Sequence, residues 1–137
     1  MLSKKTQYAI KALMYMAEKN SSEPILISEI SKKKKISLKF LENILLTLRK
    51  AGFLNSKKGK GGGYTFNMKP EEITIAMILR VVEGPIALLP CASLHFYEKC
   101  KNCEEKHCGL NVVMCEVRDA SLGVLEHRTV RDLVDLG

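Results

Sequence analysis

A chain of 137 residues with 46% hydrophobic and 27% charged residues is long enough for one domain with a buried core, which excludes a disordered tail. No apolar run reaches the ~18 residues of a membrane span, and the opening MLSKKTQYAI lacks the basic-then-apolar order of a secretory signal, so the expectation is a cytoplasmic protein with no membrane partner. The net charge of +7 is unevenly held: residues 1–69 carry 15 Lys and Arg against 4 Asp and Glu, and residues 70–137 carry 7 against 11, which suits a phosphate-binding unit joined to a unit of another kind.

Residues 4–19 predict a helix, with Ile10, Leu13, Met14 and Ala17 spaced as one buried face. The break from Asn20 to Pro24 ends it, and Ser28 is the expected N-cap of a short second helix reaching about Lys34. The run Lys32-Lys33-Lys34-Lys35 is, by itself, equally well a solvated turn. Ser37 is placed to cap a third helix over 38–51, with Ile36 and Leu41 as a hydrophobic staple and Gly52 as its left-handed C-terminal residue. Leu41, Ile44, Leu45 and Leu48 form its apolar stripe, while Lys39, Asn43, Thr47 and Lys50 project from the other side.

Two short helices, the second with a polar outer face, make a helix-turn-helix whose second helix enters the major groove of DNA. Helix pairs are common, and the next segment adds specificity. Strands are expected over 53–56 and 64–67, separated by Lys57-Lys58-Gly59-Lys60-Gly61-Gly62-Gly63, a basic tip nearly free of bulky side chains. Such a tip lets backbone approach phosphates while Lys58 and Lys60 neutralise them. A nucleotide-binding P-loop needs a different glycine spacing between a strand and a helix, and neither is present.

A fourth helix is expected over 72–82, with Ile73, Ala76, Met77 and Val81 on one side and Gly84 and Pro85 closing it. Residues 88–109 show no periodicity. Helix returns over 110–126, where Leu110, Val113, Val117, Ala120 and Val124 alternate by three and four, the spacing of a seam against another helix. Met114, Leu122 and Leu125 add apolar surface, which favours burial in a homodimer over an intramolecular core. A last short helix is expected over 129–136. The fold class is therefore mainly α with a small β-hairpin: a winged helix-turn-helix domain over 1–84, a cysteine-rich loop over 85–109, and a long dimerisation helix with its tail over 110–137.

Four of the five cysteines lie in that loop, as Cys91-x8-Cys100-x2-Cys103-x4-Cys108. Thiolates are soft ligands suited to iron–sulfur clusters or zinc. Three readings stay open: an iron–sulfur cluster, [2Fe–2S] or [4Fe–4S], with His107 as a further candidate ligand; a zinc site of four thiolates; or free thiols acting as a redox pair. Lys99, Lys101 and Lys106 are expected to lower thiol pKa values, and unligated cysteines there would be prone to oxidation. Cys115 sits within the long helix and reads as a packed small residue. His95 also flanks the cysteines, and His127, at the helix end, carries no assigned role.

The segments KKTQYAIKALMYMA, ISLKFLENILLTLRKAGFL and KGKGGGYTF together resemble the Rrf-two family of winged-helix regulators, nearly from end to end. The resemblance implies a homodimer with crossed C-terminal helices, each recognition helix in a major groove and each wing in the neighbouring minor groove of a near-palindromic operator. It assigns DNA contact to Ser37, Leu38, Lys39, Phe40 and Asn43, and to the wing residues Lys58, Lys60, Gly61, Gly62, Gly63 and Tyr64. It also implies a cluster held by three cysteines, with Cys91 and Cys108 in the outer positions and either Cys100 or Cys103 in the middle. One type of member adds a histidine three residues after the last cysteine, where this chain has Asn111. Another adds an acidic residue near the start of the first helix, where Gln7 stands.

The function expected is a transcription regulator, not an enzyme, that senses redox state, nitric oxide or iron–sulfur status. A small cysteine-based electron carrier is the competing class, and it leaves the basic half unexplained. A metal-independent regulator of the same fold is the third.

Overall fold

The computed structural model describes residues 1–103 and 107–137, and among them the chain forms six α-helices and one antiparallel hairpin. Helix α1, Lys4–Lys19, starts where the Ser3 hydroxyl accepts the Thr6 N–H, and stops at Asn20 in the left-handed region. Its buried residues are Thr6, Ala9, Ala12, Leu13, Met16 and Ala17. The expected face was misplaced: Ile10 and Met14 are only half-buried. The reason is that α1 is the central helix, packed by four others, and small residues let them approach.

Helix α2 spans Ile27–Lys34, capped by the backbone of Leu26 and not by Ser28, which lies inside the first turn. A tertiary contact sets this start. Ile25 pairs antiparallel with Tyr64, exchanging two backbone hydrogen bonds of 2.9 Å, so the chain is extended through 25 and turns helical directly afterwards. Lys35 ends α2 in a left-handed conformation (φ 54°), and the Ser31 hydroxyl donates to the Ile36 carbonyl at 2.6 Å, which shapes the tight turn. Helix α3, Leu38–Lys50, follows expectation closely: the Ser37 hydroxyl accepts the Phe40 N–H, and Leu41, Ile44, Leu45 and Leu48 are fully buried. Gly52 leaves it with φ 89°.

Strands β1 (Leu54–Lys57) and β2 (Gly63–Phe66) pair from Leu54↔Phe66 to Lys57↔Gly63, each shifted one residue from the sequence expectation. Phe53 is withheld from the ladder because its N–H closes the end of α3 on Leu48 and its carbonyl takes the N–H groups of Asn67 and Met68. Helix α4 is Ile75–Val82, shorter than expected, because Thr74 caps it and bridges Thr129 across the chain. Ile75, Ala76, Ile78 and Leu79 are its buried residues, with Ile73 buried just ahead of it; Val81, expected inside, is exposed, and Met77 is half-buried.

A short 3-10 turn, Pro90–Ala92, interrupts the cysteine loop. Helix α5, Gly109–Leu125, is capped by Cys108, and helix α6, Val130–Leu136, by a reciprocal capping box between Thr129 and Asp132. Helix α6 returns to pack on α1, with Val130 fully buried, so the C-terminal tail completes the core of the N-terminal unit. On α5 only Leu122 is buried. Val113, Val117 and Val124 remain 50%, 38% and 59% exposed, so the predicted seam is left uncovered by the described residues of the chain. No helix among the described residues is long and apolar enough to cross a membrane.

Candidate nucleic-acid interface and cysteine loop

The interface begins with α3, whose four buried residues fix its rotation and thereby aim Leu38, Lys39, Glu42, Asn43 and Lys50 at solvent. Ser37 is exposed although its hydroxyl serves the cap. Phe40 differs from its neighbours: its ring is half-buried and meets Tyr8 of α1 edge-on at 5.7 Å, and Lys11 lies 5.8 Å above the same tyrosine. Of the five helix positions singled out in the sequence, Ser37 caps its own helix and Phe40 packs against a neighbouring one, while Leu38, Lys39 and Asn43 are exposed.

The glycines of the wing divide into two kinds. Gly59 and Gly61, with φ 86° and 74°, sit in open space at the exposed tip beside Lys58 and Lys60. Gly62 and Gly63 answer to packing. A side chain on Gly62 would meet the Lys57 carbonyl at 2.4 Å, and the Gly62 N–H already donates to Gly59. A side chain on Gly63 would meet the Ile25 carbonyl at 2.3 Å. Gly62 thus closes the turn of the wing on itself, and Gly63 seats the hairpin on the segment that precedes α2. The Tyr64 side chain is half-buried next to them.

Arg49, which the sequence reading passed over, ties helix to wing: its Nη1 donates to Ser56 at 3.2 Å. A groove of about 470 Å³ runs between them, lined in part by Ile27, Leu46, Arg49, Lys57 and Lys58. Its signal in the sequence was the exposed side of the α3 pattern, three residues beyond Leu46. Behind this surface, Lys19 of α1 and Glu29 of α2 pair at 2.6 Å, which holds the Glu29 carboxyl below its ordinary range.

In the cysteine loop, Cys91, Cys100 and Cys108 are half-buried and Cys103 is exposed. The thiols of Cys100 and Cys108 both neighbour that of Cys103, and the hydrogen bond with Cys100 is the largest cause pushing the Cys103 thiol up to about 12. The lowering of thiol pKa values expected from the lysines is not what is found at Cys103, where the sulfur neighbours raise it; Lys106 lies outside the described residues. Among the described residues no three His, Cys, Asp or Glu side chains close around a common point as a metal cage. Cys91 is joined to Cys108 through Asn111. The Asn111 backbone N–H donates to Cys108 Sγ at 3.4 Å and its side-chain Nδ2 to Cys91 Sγ at 3.3 Å. Cys115 also belongs to this network, since its thiol donates to Asn111 Oδ1 at 3.7 Å and Arg118 reaches its sulfur at 3.6 Å. Gln7 donates to the Leu2 carbonyl at 3.0 Å, a contact local to the start of α1, and His127 contacts the Gly123 carbonyl at 3.1 Å.

Comparison with known proteins agrees with this architecture. An Rrf2-like HTH-type transcriptional regulator of Rhodobacter capsulatus is 36% identical over the whole chain, covering 94% of that protein. The HTH-type transcriptional regulator NsrR of Bacillus licheniformis is 30% identical over 97% of the chain and 91% of its own length. The solved structure of CymR, the global cysteine regulator of Bacillus subtilis, superposes with a TM-score of 0.80 at 29% identity, covering 100% of this chain and 98% of that one. These relatives are transcriptional regulators and not enzymes, and the CymR structure shares the helical winged-helix fold with its two-stranded hairpin. The family model Rrf2, described as "Iron-dependent Transcriptional regulator", matches residues 2–136, and the chain belongs to this family of DNA-binding transcriptional regulators.

Proposed function

We propose that the protein works as a homodimer on a near-palindromic DNA operator and that its cysteine loop is the sensor that governs this binding. Residues 1–84 form the DNA-binding unit, 85–109 the sensor loop, and 110–137 the dimerisation helix and its tail, with α6 folded back on α1. Lys39 and Asn43 of α3, with Ser37 and Leu38 at its start, face the major groove, and Lys58, Lys60 and Gly61 of the wing face phosphates. Phe40 sets the tilt of α3 from behind, and Gly62, Gly63 and Tyr64 hold the wing in place. Two copies bury the exposed valine seam of α5 against each other.

The observation that carries the sensor reading is the position of Cys108. Its sulfur is the N-cap of α5, the same helix that bears the uncovered seam. A change in what Cys108 binds acts directly on the first turn of the dimerisation helix, and so on the separation of the two recognition helices. The chemistry of the donors suits a thiolate-ligated group: Cys100 and Cys108 each lie beside Cys103, and Asn111 links Cys91 to Cys108, although the described residues do not close as a metal cage. An iron–sulfur cluster, when bound, supplies sensitivity to oxidants, nitric oxide or iron supply; zinc supplies rigidity alone.

Anaerobic purification with iron, sulfide and zinc counts, followed by operator binding of loaded and stripped protein, tests the proposal. Matched iron and sulfide with operator affinities that differ between the two forms support it. Equal affinities remove the sensor role, and loss of regulation must then be sought in a metal-independent signal, with regulation unchanged when all four loop cysteines are replaced by alanine.

A further inference from the structure

The side chain of Asn111 joins Cys91 to the cysteine network, and its orientation is fixed by chemistry. Its Nδ2 lies 3.3 Å from the Cys91 backbone carbonyl as well as 3.3 Å from the Cys91 sulfur. A carbonyl oxygen can only accept, so the nitrogen of the carboxamide must face Cys91 and the oxygen must face Cys115, whose thiol can donate to it. The backbone N–H of the same residue points at Cys108 Sγ. One residue therefore offers N–H groups to two sulfurs that are 17 positions apart in the chain.

We propose that Asn111 is the positioning residue of the cysteine loop: through its backbone and side-chain N–H groups it holds Cys108 and Cys91 as a pair at the start of α5 and donates to both sulfurs when they act as ligands. The proposal rests on the sensor reading for the identity of the ligand, but not for the geometry. A carboxamide nitrogen is not itself a metal donor, so Asn111 acts from behind its two cysteines. The N–H···S bond is kept when the thiol becomes a metal-bound thiolate, and it strengthens because the acceptor then carries charge. A second attachment makes the arrangement rigid: Arg118, two turns further along α5 and largely buried, donates to the Ala92 carbonyl at 2.8 Å. The 90–92 turn is thus docked on α5 at two points, and of these only Asn111 contacts the sulfurs of Cys91 and Cys108.

Asn111→Asp is the informative variant, since it keeps the shape and replaces the donor to Cys91 with an acceptor. Aspartate in the first turn of a helix is favourable, and Arg118 still docks the 90–92 turn, so α5 should fold, as circular dichroism will show. Two measurements are made on the full chain. In metal-free, reduced protein, a short bifunctional thiol reagent links Cys91 to Cys108, and the linked peptide is quantified after proteolysis. In protein reconstituted anaerobically, the lifetime of the cluster under a chelator is followed by visible absorption. Asn111→Asp should lower the cross-link yield about tenfold and shorten cluster lifetime by ~10-fold or more, with Asn111→Leu nearer to wild type in lifetime than Asp. An unchanged cross-link yield in a folded Asp variant overturns the proposal, and so does an unchanged lifetime in a protein that holds a cluster. A wild-type chain that takes up no iron and sulfide defeats the sensor reading alone; the cross-linking result then decides on Asn111.

Discussion

The carbonyl oxygen of Ile25 occupies the place where a side chain on residue 63 would begin, 2.3 Å from an ideal Cβ. This contact joins the wing to the start of the helix-turn-helix, because the same two segments exchange the Ile25–Tyr64 hydrogen bonds. Gly63→Ala should therefore unseat the hairpin and cost about 3 kcal/mol or more, since strain at positive φ and a backbone clash act together. Gly61→Ala, strained but in open space, should cost only ~1 kcal/mol. Urea unfolding of the two variants checks the difference, and equal losses would contradict this account of the wing.

Ser37 caps α3 and Ser28 caps nothing, although both precede apolar helical patterns. Ser37→Ala is expected to destabilise the protein by about 1 kcal/mol. Ser28→Ala should stay within about 0.5 kcal/mol of wild type. Chemical denaturation of both, with operator affinity measured alongside, is the check.

Lys58 and Lys60 stand exposed at the wing tip and form no ion pair among the described residues. If each neutralises one phosphate per protomer, its replacement by alanine removes two contacts from the dimeric complex. The log–log salt dependence of operator binding should then flatten by ~1.8 for each variant. A slope equal to that of the wild type would place the wing outside the interface.

Val117 lies in the seam of α5 and is 38% exposed in the single chain. Val117→Asp should leave the protomer folded and weaken the dimer at least ~100-fold, because two uncompensated carboxylates would be buried together. Sedimentation measures this directly; a dimer that survives the substitution would mean that the seam is not the interface.

The Glu83 carboxylate accepts hydrogen bonds from the hydroxyls of Thr6 and Ser3, and from the Ser3 N–H, which join the end of α4 to the start of α1. The Thr6 hydroxyl is the main cause holding its pKa below the ordinary 4.5. With the folded value depressed, this contribution is present above pH 4.5 and is lost as the pH falls through the folded value. Glu83→Gln should therefore blunt the loss of stability between neutral pH and about pH 3, measured as the shift in thermal midpoint. An acid limb identical to the wild type would show that Glu83 does not contribute to it.

Much of the DNA-binding unit was legible in the residues because its signals are local. The Ser37 cap, the stripe of Leu41, Ile44, Leu45 and Leu48, and the exit at Gly52 all act within a few residues of one another, and the structure keeps each of them. The unmatched apolar surface of α5 was equally visible, because a 3.5-residue spacing is a property of the helix alone.

Other features depended on segments far apart in the chain. The start of α2 was misassigned because Ile25 is extended by pairing with Tyr64, and the α1 face was misplaced because four helices, α6 among them, pack around it. A glycine-rich tip announces a turn, but which glycines serve the turn and which yield space to Ile25 is a matter of tertiary clearance. Spacing gathered four cysteines into one loop; the fold set Cys100 and Cys108 each beside Cys103 and linked Cys91 to Cys108 through Asn111. The sequence by itself determined the elements and their chemistry, because propensity, capping and hydrophobic period act over a turn or two. Only the tertiary structure decided which polar and sulfur atoms meet, because those distances depend on how whole helices pack.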